Sequence, residues 1–345
     1  MTPPRESGAP LLHIPTTIIT GFLGSGKTTA INHLLSVKPK SERWAVVVNE
    51  FGKIGVDGAL LGKHPDVSVK EIAGGCLCCS AGQVFEAGVN RFIRDSLPQR
   101  IIIEPTGIGH PLNIIHTLTS GYYRDVLDLK ATICLVDARK LAGHRYLENP
   151  AFRDQLNLSD VLVASKSDSY GPLDRMAFRN LAARFTPPKS ALITTVFGNL
   201  DLSLLDIDRN PSRIASFPDA HPPATGPGQS AHAEEMRSHD AVGVAPDSWS
   251  MLEGCGAGYF SGSWQAGLGF LFKETALLEL LATFRYERIK GVIQCRESWF
   301  SINGSAGDHN LSSCAPATSS RLEIIHDSPL PCSEIDRKLR LTLGA

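Results

Sequence analysis

One short segment constrains the fold of this 345-residue chain more than any other: Gly21-Phe-Leu-Gly-Ser-Gly-Lys-Thr28, which fits the spacing G-x-x-x-x-G-K-[ST]. The β-branched residues before it predict a strand, and the residues after it predict a helix over 27–36. Glycines let backbone N–H groups curl around phosphate oxygens, and the N-terminus of a helix adds partial positive charge. The order of strand, glycine loop and helix therefore predicts a polyphosphate site.

The side chains of this loop have separate chemical tasks. Lys27 is placed to neutralise β- and γ-phosphate charge, and the Thr28 hydroxyl can ligate Mg²⁺. A dinucleotide-binding G-x-G-x-x-G is excluded, because Thr29 stands where the third glycine would be needed. The predicted binding residues of the loop are Gly21, Gly24, Ser25, Gly26, Lys27, Thr28 and Thr29.

Short, continuous apolar runs recur through the first two hundred residues and indicate strands buried on both faces. Their alternation with helical patterns is typical of a doubly wound, mostly parallel α/β domain, which we assign to residues 11–208. Strands are predicted at 11–19, 43–48, 67–72, 100–103, 131–136, 160–164 and 190–196, and helices at 27–36, 82–96, 111–119, 150–157 and 173–185.

The composition changes after Asp208. Residues 209–247 hold six prolines and three glycines without a long apolar run, which predicts a flexible linker. Residues 248–345 then predict a smaller α+β domain. Its expected elements are helices at 268–284 and 331–342, strands at 288–295, 298–303 and 321–326, and a loop at 304–320.

A second site element is Ile101-Ile-Ile-Glu104-Pro-Thr-Gly107. An acidic residue at the end of a buried strand is where a carboxylate for nucleotide-bound Mg²⁺ belongs, and Gly107 could donate its N–H to a γ-phosphate. Such a contact would make the following loop a nucleotide-dependent switch. The residue that orients an attacking water is left open between Glu104 and the segment 49–57.

A third element, Ser165-Lys-Ser-Asp168, directly follows a predicted strand. GTPases carry Asn-Lys-x-Asp at this position, where the carboxylate accepts hydrogen bonds from two guanine N–H groups and the lysine stem lies along the base. Lys166 and Asp168 are present and Ser165 replaces the asparagine. The aspartate favours GTP over ATP.

The cysteines are concentrated in one place, since three of the eight fall in Gly74-Gly-Cys-Leu-Cys-Cys79. Cys76, Cys78 and Cys79 are close enough to bind one soft ion, and thiolates suit Zn²⁺ or Cu(I). A fourth ligand is undetermined: water, a distant side chain or a partner's ligand. Buried packing cysteines and a redox thiol cluster are the alternatives. The linker histidines, His221, His232 and His239, fit either a loose metal collector or ordinary polar residues.

Bulk composition excludes several classes of protein. With 34 Lys and Arg against 35 Asp and Glu, the net charge of −1 does not suit a general nucleic-acid binder. No apolar run approaches the roughly 18 residues of a membrane helix, and the polar N-terminus lacks the apolar core of a signal peptide. Eight cysteines are too few for a disulfide scaffold. We expect a cytoplasmic protein without nucleic-acid or membrane partners.

Taken in order, these elements resemble the CobW family of P-loop GTPases. The residues that carry the resemblance are 21–29, 49–52, 74–79, 104–107, 135–138 and 165–168, together with Arg288-Ile-Lys-Gly291 in the second domain.

The resemblance implies a Mg²⁺-dependent GTPase that acts as a zinc chaperone or insertase. Lys27 and Glu104 would serve hydrolysis, and the nucleotide state would govern Zn²⁺ at the Cys-x-Cys-Cys site and its delivery to a client metalloprotein. The C-terminal region would bind that client or a second protomer, as in a homodimer. Two alternatives stay open: a small-molecule P-loop phosphotransferase, and a zinc sensor or storage protein with a purely structural nucleotide site.

Overall fold

The computed structural model describes two β-sheets flanked by helices. The residues that it describes are 13–49, 61, 64, 66–72, 82–121, 123–218, 244–256, 258–296, 298–305 and 308–344.

The first sheet is parallel and has eight strands, in the order β3-β2-β4-β1-β6-β7-β8, with β5 pairing the start of β1. The strands are β1 Ile14–Gly21, β2 Trp44–Asn49, β3 Val67–Ile72, β4 Arg100–Glu104, β5 Leu127–Leu129, β6 Ile133–Val136, β7 Val161–Ala164 and β8 Ala191–Thr194. The helices are α1 Lys27–Val37, α2 Gly82–Ser96, α3 Pro111–Thr119, α4 Tyr123–Val126, α5 His144–Glu148, α6 Pro150–Leu158 and α7 Pro172–Ala182. Three short 3₁₀ segments lie at Ala138–Ala142, Ser167–Ser169 and Leu202–Asp206.

Both faces of the parallel sheet are buried, which confirms the doubly wound prediction. Alternate side chains of a strand point to opposite faces. Val46 and Leu34 share the core on one face, whereas Val47 and Ile114 share the core on the other. Because every position of the central strands meets helices, those strands are apolar without alternation.

The order of the strands places the candidate site. β1 lies between β4 and β6, and the chain runs to one side of β1 for β2–β4 and to the other side for β6–β8. In open α/β sheets, ligands bind beside the carboxyl ends of the strands where the order reverses. Gly21 ends β1 and Glu104 ends β4 at this point.

The second sheet is antiparallel and has six strands, in the order β13-β12-β11-β14-β10-β9. The strands are β9 Trp249–Gly256, β10 Tyr259–Ala266, β11 Arg288–Cys295, β12 Ser298–Ser305, β13 Asp308–Ser313 and β14 Ser320–His326, and the helices are α8 Glu274–Ala282 and α9 Cys332–Leu341. Leu277 of α8 and Leu339 of α9 pack on Ile289 and Ile324 to form the core of this domain. The smaller α+β domain is thus confirmed.

For the second domain, one hairpin was missed and two expectations were wrong in detail. The residues before 268 form the hairpin β9–β10, for which no strand is predicted from their Ser- and Gly-rich sequence. Residues 308–313 of the predicted loop are β13, an edge strand with few apolar residues that pairs only with β12. The helix predicted over 268–284 is confined to Glu274–Ala282, since Gly269 and Phe272 hydrogen-bond to loop and strand carbonyls.

The start of the predicted linker is packed against the first domain. Arg213 donates to Asp160 (3.2 Å) and to the carbonyls of Pro187 and Pro188 (both 2.7 Å). Residues 209–218 therefore do not behave as the flexible linker predicted from proline content. The domain limits at 208 and 247 stay predictions, and the three linker histidines lie outside the described residues.

The phosphate loop itself touches the second domain. Phe22 and Leu23 share a buried cluster with Tyr259 and Ile325, and the rings of Phe22 and Tyr259 are 6.0 Å apart. The Tyr146 hydroxyl donates to Glu287 at 3.2 Å nearby. One face of the antiparallel sheet therefore lies over the carboxyl edge of the parallel sheet.

Candidate functional site

A cavity of about 370 Å³ lies at the carboxyl edge of the parallel sheet, within the size range of small-molecule sites, about 300–1,000 Å³. Gly21 lies behind it, where its carbonyl accepts a hydrogen bond from Lys27 Nζ at 3.0 Å. Apart from the cysteines, the other residues predicted for the site all line the cavity. They are Gly24, Ser25, Gly26, Lys27, Thr28, Thr29, Glu104, Gly107, Lys166 and Asp168.

The backbone of the loop requires its glycines. Gly21 has a φ of +143°, and a Cβ there would lie 2.4 Å from the carbonyl oxygen of Leu135 on β6. Gly26, with a φ of +91°, is the N-cap of α1. The Ser25 hydroxyl is buried and, among the described residues, has no hydrogen-bond partner. A bound oxygen anion would supply that partner and would also meet the first N–H groups of α1.

The ammonium group of Lys27 is buried near other charged groups. Its side chain is only 8% exposed. The pKa of Lys27 is lowered to about 8, mainly by burial and to a smaller extent by the positive charge of Arg288, while Glu104 acts in the opposite direction. An anion in the cavity would stabilise the charged form, so the electrostatics of the site fit a phosphate.

Thr28 and Glu104 converge from α1 and β4. The Thr28 hydroxyl donates to Glu104 Oε1 at 3.0 Å, and both residues are buried. Burial raises the pKa of Glu104, although Lys27 and the Thr28 hydrogen bond act against this. Adjacent hydroxyl and carboxylate oxygens are ligands that Mg²⁺ prefers, so the donor set fits this ion.

The loop after β4 approaches Lys27 closely. A Cβ on Gly107 would lie 3.1 Å from Lys27 Nζ and 2.9 Å from Leu23 Cδ2. Gln155 of α6 donates from Nε2 to the carbonyls of Gly107 (3.0 Å) and Gly109 (2.9 Å). The side chain of a buried helix thus fixes the loop beside the phosphate end of the cavity.

The other end of the cavity is built by the turn after β7. Lys166 adopts a left-handed φ of +58°, and its Nζ lies 4.0 Å from Asp137 Oδ2. Asp168 is exposed to the cavity. The Tyr170 hydroxyl accepts from the N–H of Ala138 at 2.7 Å and donates to β6 and turn carbonyls, which holds the ends of β6 and β7 together.

Two residues at this end of the cavity were missed from the sequence. Phe197 and Gly198 follow β8 and line the cavity beside Lys166 and Asp168. The Phe197 side chain is 81% exposed. The available signal was a Phe-Gly pair directly after a predicted strand, at the same sheet edge as the other site residues.

The antiparallel sheet supplies a further wall of the cavity, through Arg288, Lys290, Asn303 and Glu323. Arg288 and Lys290 flank Ile289, which is in the domain core, so they point to the opposite, polar face. This alternation was visible in the sequence, but nothing in it indicated that the polar face covers a site in another domain.

The predicted metal site falls outside the description. Cys76, Cys78 and Cys79, and residues 50–57 of the first switch candidate, are not among the described residues. In the described part of the chain, no group of three or more His, Cys, Asp or Glu side chains is arranged to hold a metal ion. Strand β3, which leads into the cysteine segment, ends at Ile72.

Comparison with known proteins bears on this geometry. The model of the CobW/HypB/UreG nucleotide-binding domain matches residues 15–191. The chain is 37% identical to the zinc chaperone YeiR of Escherichia coli over 339 residues, covering 96% of this chain and 99% of that protein. The chain belongs to the CobW/HypB/UreG family.

Two further proteins are similar to this chain at lower identity. The zinc chaperone CobW of Pseudomonas aeruginosa is 30% identical over 237 residues, which cover 58% of this chain and 62% of that protein. The crystal structure of Zn(II)-bound YjiA GTPase from E. coli is 20% identical over 96% of this chain and 99% of that one, with a TM-score of 0.42.

The family segment at 15–191 contains the whole phosphate loop, Glu104, Asp168 and the cysteine motif, while the YeiR match also extends through the second domain. Within the described residues, the longest apolar helices are too short to cross a membrane.

Proposed function

We propose that this family member is a Mg²⁺-dependent GTPase that acts as a zinc chaperone and couples its nucleotide state to Zn²⁺ carried as cargo on Cys76, Cys78 and Cys79. The observation that carries the proposal is the single cavity that joins a phosphate loop to Lys166 and Asp168. The names of the relatives YeiR and CobW, both zinc chaperones, support the cargo.

The cavity gives the nucleotide one orientation. The phosphates bind Gly24 to Thr28, and the base lies at the opposite end, where Asp168 accepts from guanine N–H groups. The Lys166 stem covers one face of the base. Phe197 offers an exposed ring for stacking at the same end.

Hydrolysis is the attack of water on the γ-phosphate. Lys27 and the backbone N–H groups of the loop stabilise the negative charge that builds on the phosphoryl oxygens, and burial strengthens their effect. Thr28 and Glu104 would hold Mg²⁺, which would supply positive charge against the negative charge of the phosphates. Glu104 and the segment 49–57 are the candidates for orienting the water.

The coupling runs through β3 and β14. Glu71, one residue before the end of β3, lies with Oε2 3.8 Å from Arg321 Nη1 of β14. Glu323, two residues further along β14, faces the cavity. A movement of the antiparallel sheet between nucleotide states would therefore reach the strand that leads into the cysteines. Delivery to a client metalloprotein completes the proposal, and a second protomer stays a prediction.

Nucleotide selectivity tests the proposal. Wild type should hydrolyse GTP with Mg²⁺ and discriminate against ATP. Asp168→Asn should weaken GTP binding by about 10- to 100-fold, the value of a hydrogen bond to a charged group. The same variant should bind xanthosine triphosphate better than wild type does, because an amide N–H can donate to the carbonyl that xanthine carries in place of the amino group.

The control is Asp125→Asn, which removes the same charge from an exposed side chain of α4 outside the cavity. It should leave nucleotide preference unchanged. Equal use of ATP and GTP by wild type, or transfer of phosphate to a small molecule instead of water, would contradict the proposed function.

A further inference from the structure

The function proposed above assigns no contact with the nucleotide to the wall that the antiparallel sheet adds to the cavity. Arg288 and Lys290 of β11 point to the same face, and Asn303 and Glu323 lie opposite Lys290 on the two neighbouring strands. Lys290 is 7% exposed and Glu323 is 3% exposed, while Arg288 is partly buried. Such a row of buried charged side chains is costly unless it serves packing or a ligand.

Arg288 lies at the phosphate end of the cavity. Its positive charge acts on both Lys27 and Glu104, the residues that surround the expected terminal phosphate. The pKa of Arg288 is lowered to about 10, because burial outweighs the opposing effect of the negative charges of Glu104 and Glu323. Arg288 therefore lines the same cavity as Lys27 and is desolvated as Lys27 is.

The surrounding sheet holds the Arg288 side chain in place. Its Nη1 donates to the carbonyl of Gly304 on β12 at 3.1 Å. A guanidinium has five N–H donors, and this contact uses one. Glu323 Oε1 is buried and has no hydrogen-bond partner among the described residues. The Glu323 carboxylate thus lines the cavity together with the two β11 cations.

The charges at this end of the cavity call for an anion. Of the described residues there, Lys27, Arg288 and Lys290 are cations, whereas Glu104 and Glu323 are carboxylates. If Mg²⁺ offset the charge of the Glu104 carboxylate, the excess of positive charge at this end of the cavity would be larger. Arginine binds phosphate in a bidentate manner, with geometry that a lysine does not reproduce.

We propose that Arg288 binds the terminal phosphate of the bound nucleoside triphosphate, so that the antiparallel domain distinguishes triphosphate from diphosphate. Glu323 is a positioning residue, because its carboxylate lines the same cavity as Arg288 and has the opposite charge. The proposal rests on the proposed function in one respect, that the cavity binds a nucleotide through its phosphate loop. It gives the second domain a direct contact with the part of the nucleotide that hydrolysis removes.

The test is the affinity of full-length wild type and Arg288→Ala for a non-hydrolysable GTP analogue and for GDP, both with Mg²⁺, by calorimetry. We expect the analogue to bind about 10- to 100-fold more weakly to the variant, the value of a charged hydrogen bond, and GDP to bind within about twofold. Arg288→Lys should keep part of the preference for the triphosphate analogue over GDP, since lysine keeps the positive charge but lacks the paired N–H donors of the guanidinium.

Arg285→Ala is the matched control, because Arg285 is exposed and lies three residues earlier, outside the cavity. It should leave both affinities unchanged. If Arg288→Ala lowers the melting temperature, Arg288→Gln, which keeps a polar side chain there, is measured in its place.

An unchanged analogue affinity, or an equal loss for the analogue and GDP, would overturn the role of Arg288 while leaving the nucleotide site intact. Failure of wild type to bind either nucleotide would overturn the proposed function, and this inference with it.

Discussion

Phe197 is held in a conformation that aromatic residues seldom adopt. Its φ is +51°, in the left-handed region, and its ring is 81% exposed. The next residue explains how the turn is maintained. Gly198 has a φ of +72°, and a Cβ there would lie 2.7 Å from the N atom of Ala30, so the backbone packs directly on α1. This packing supports the ring over the base end of the cavity.

Replacement of the ring tests its role. We predict that Phe197→Ala weakens GTP and GDP binding equally, by about 1–3 kcal/mol, since base stacking is common to both nucleotides. Val196→Ala is the control, because Val196 is the exposed neighbour and does not line the cavity. Fluorescence titration with both nucleotides measures the effect. A loss confined to GTP would assign Phe197 to the phosphates and contradict the stacking role.

The sequence predicted the position of those residues that lie in a motif of fixed spacing or at the end of a buried strand. Lys27, Thr28 and Glu104 lie where strand ends and spacing placed them, and the structure brings them together in one cavity. Phe197 and Glu323 were not found, because an exposed phenylalanine in a turn and a glutamate in a strand have no distinctive pattern. Only the fold brings them to the cavity.

At the scale of elements, α6 fixes two separate segments. Asp154, which is fully buried, accepts backbone hydrogen bonds from Ser216 and Phe217 and lies with Oδ2 2.6 Å from His110 Nε2. The next residue, Gln155, holds the carbonyls of the loop after β4. The start of the linker and the loop beside the phosphates are therefore fastened to the same turn of helix.

The pKa of Asp154 makes this attachment pH-dependent. Burial alone would raise the pKa of Asp154, but hydrogen bonds from His110, Ser216 and Phe217 outweigh burial and hold it below the usual value. A carboxyl group whose pKa is lower in the folded state contributes its full stabilisation of the fold at pH values above its unfolded-state pKa, which is about 4. That contribution is lost as the pH falls through the folded-state pKa.

We therefore predict that Asp154→Asn lowers the free energy of unfolding by about 1.5–3 kcal/mol near pH 7, the value of hydrogen bonds to a charged group. The gap to wild type should shrink below about pH 4. Urea denaturation at several pH values measures this, with the exposed Asp125→Asn as control. A difference that is constant from pH 7 to pH 3 would contradict the role of the carboxylate.

Strands differed in how well the sequence predicted them. Central strands of the parallel sheet such as β6 and β7 are apolar throughout because they are buried on both faces, and that signal is strong. In the second sheet one face is polar and yet buried, as Ser261 (3% exposed) and Ser263 (1% exposed) show. A buried serine looks like a turn residue in sequence, so the hairpin β9–β10 was missed.

At the scale of the whole molecule, the two domains share one cavity. Sequence patterns predicted both domains but not the contact between them. Phe22 lies beside Tyr259, and Lys27 and Arg288 line one cavity, although the members of each pair are far apart in the chain. Neither domain has a local pattern that reports the other. Only the packed structure shows the antiparallel sheet over the phosphate loop.

The proposed coupling of nucleotide to metal would use one contact between the two domains. Glu323 faces the cavity, and Arg321 on the same strand lies 3.8 Å from Glu71 near the end of β3. A partly exposed ion pair at this distance contributes little stability by itself. The ion pair matters here because of its position, since residues 73–81 directly follow β3 in the chain.

The most direct measurement is the affinity for Zn²⁺ by chelator competition, with a non-hydrolysable GTP analogue, with GDP and without nucleotide. We predict that the analogue and GDP give zinc affinities that differ by about 5- to 150-fold, the usual range of allosteric coupling. Cys78→Ala should abolish this difference, and Cys255→Ala, at an exposed cysteine of the second domain, should preserve it. The same zinc affinity in all three nucleotide states would contradict the coupling of nucleotide to metal.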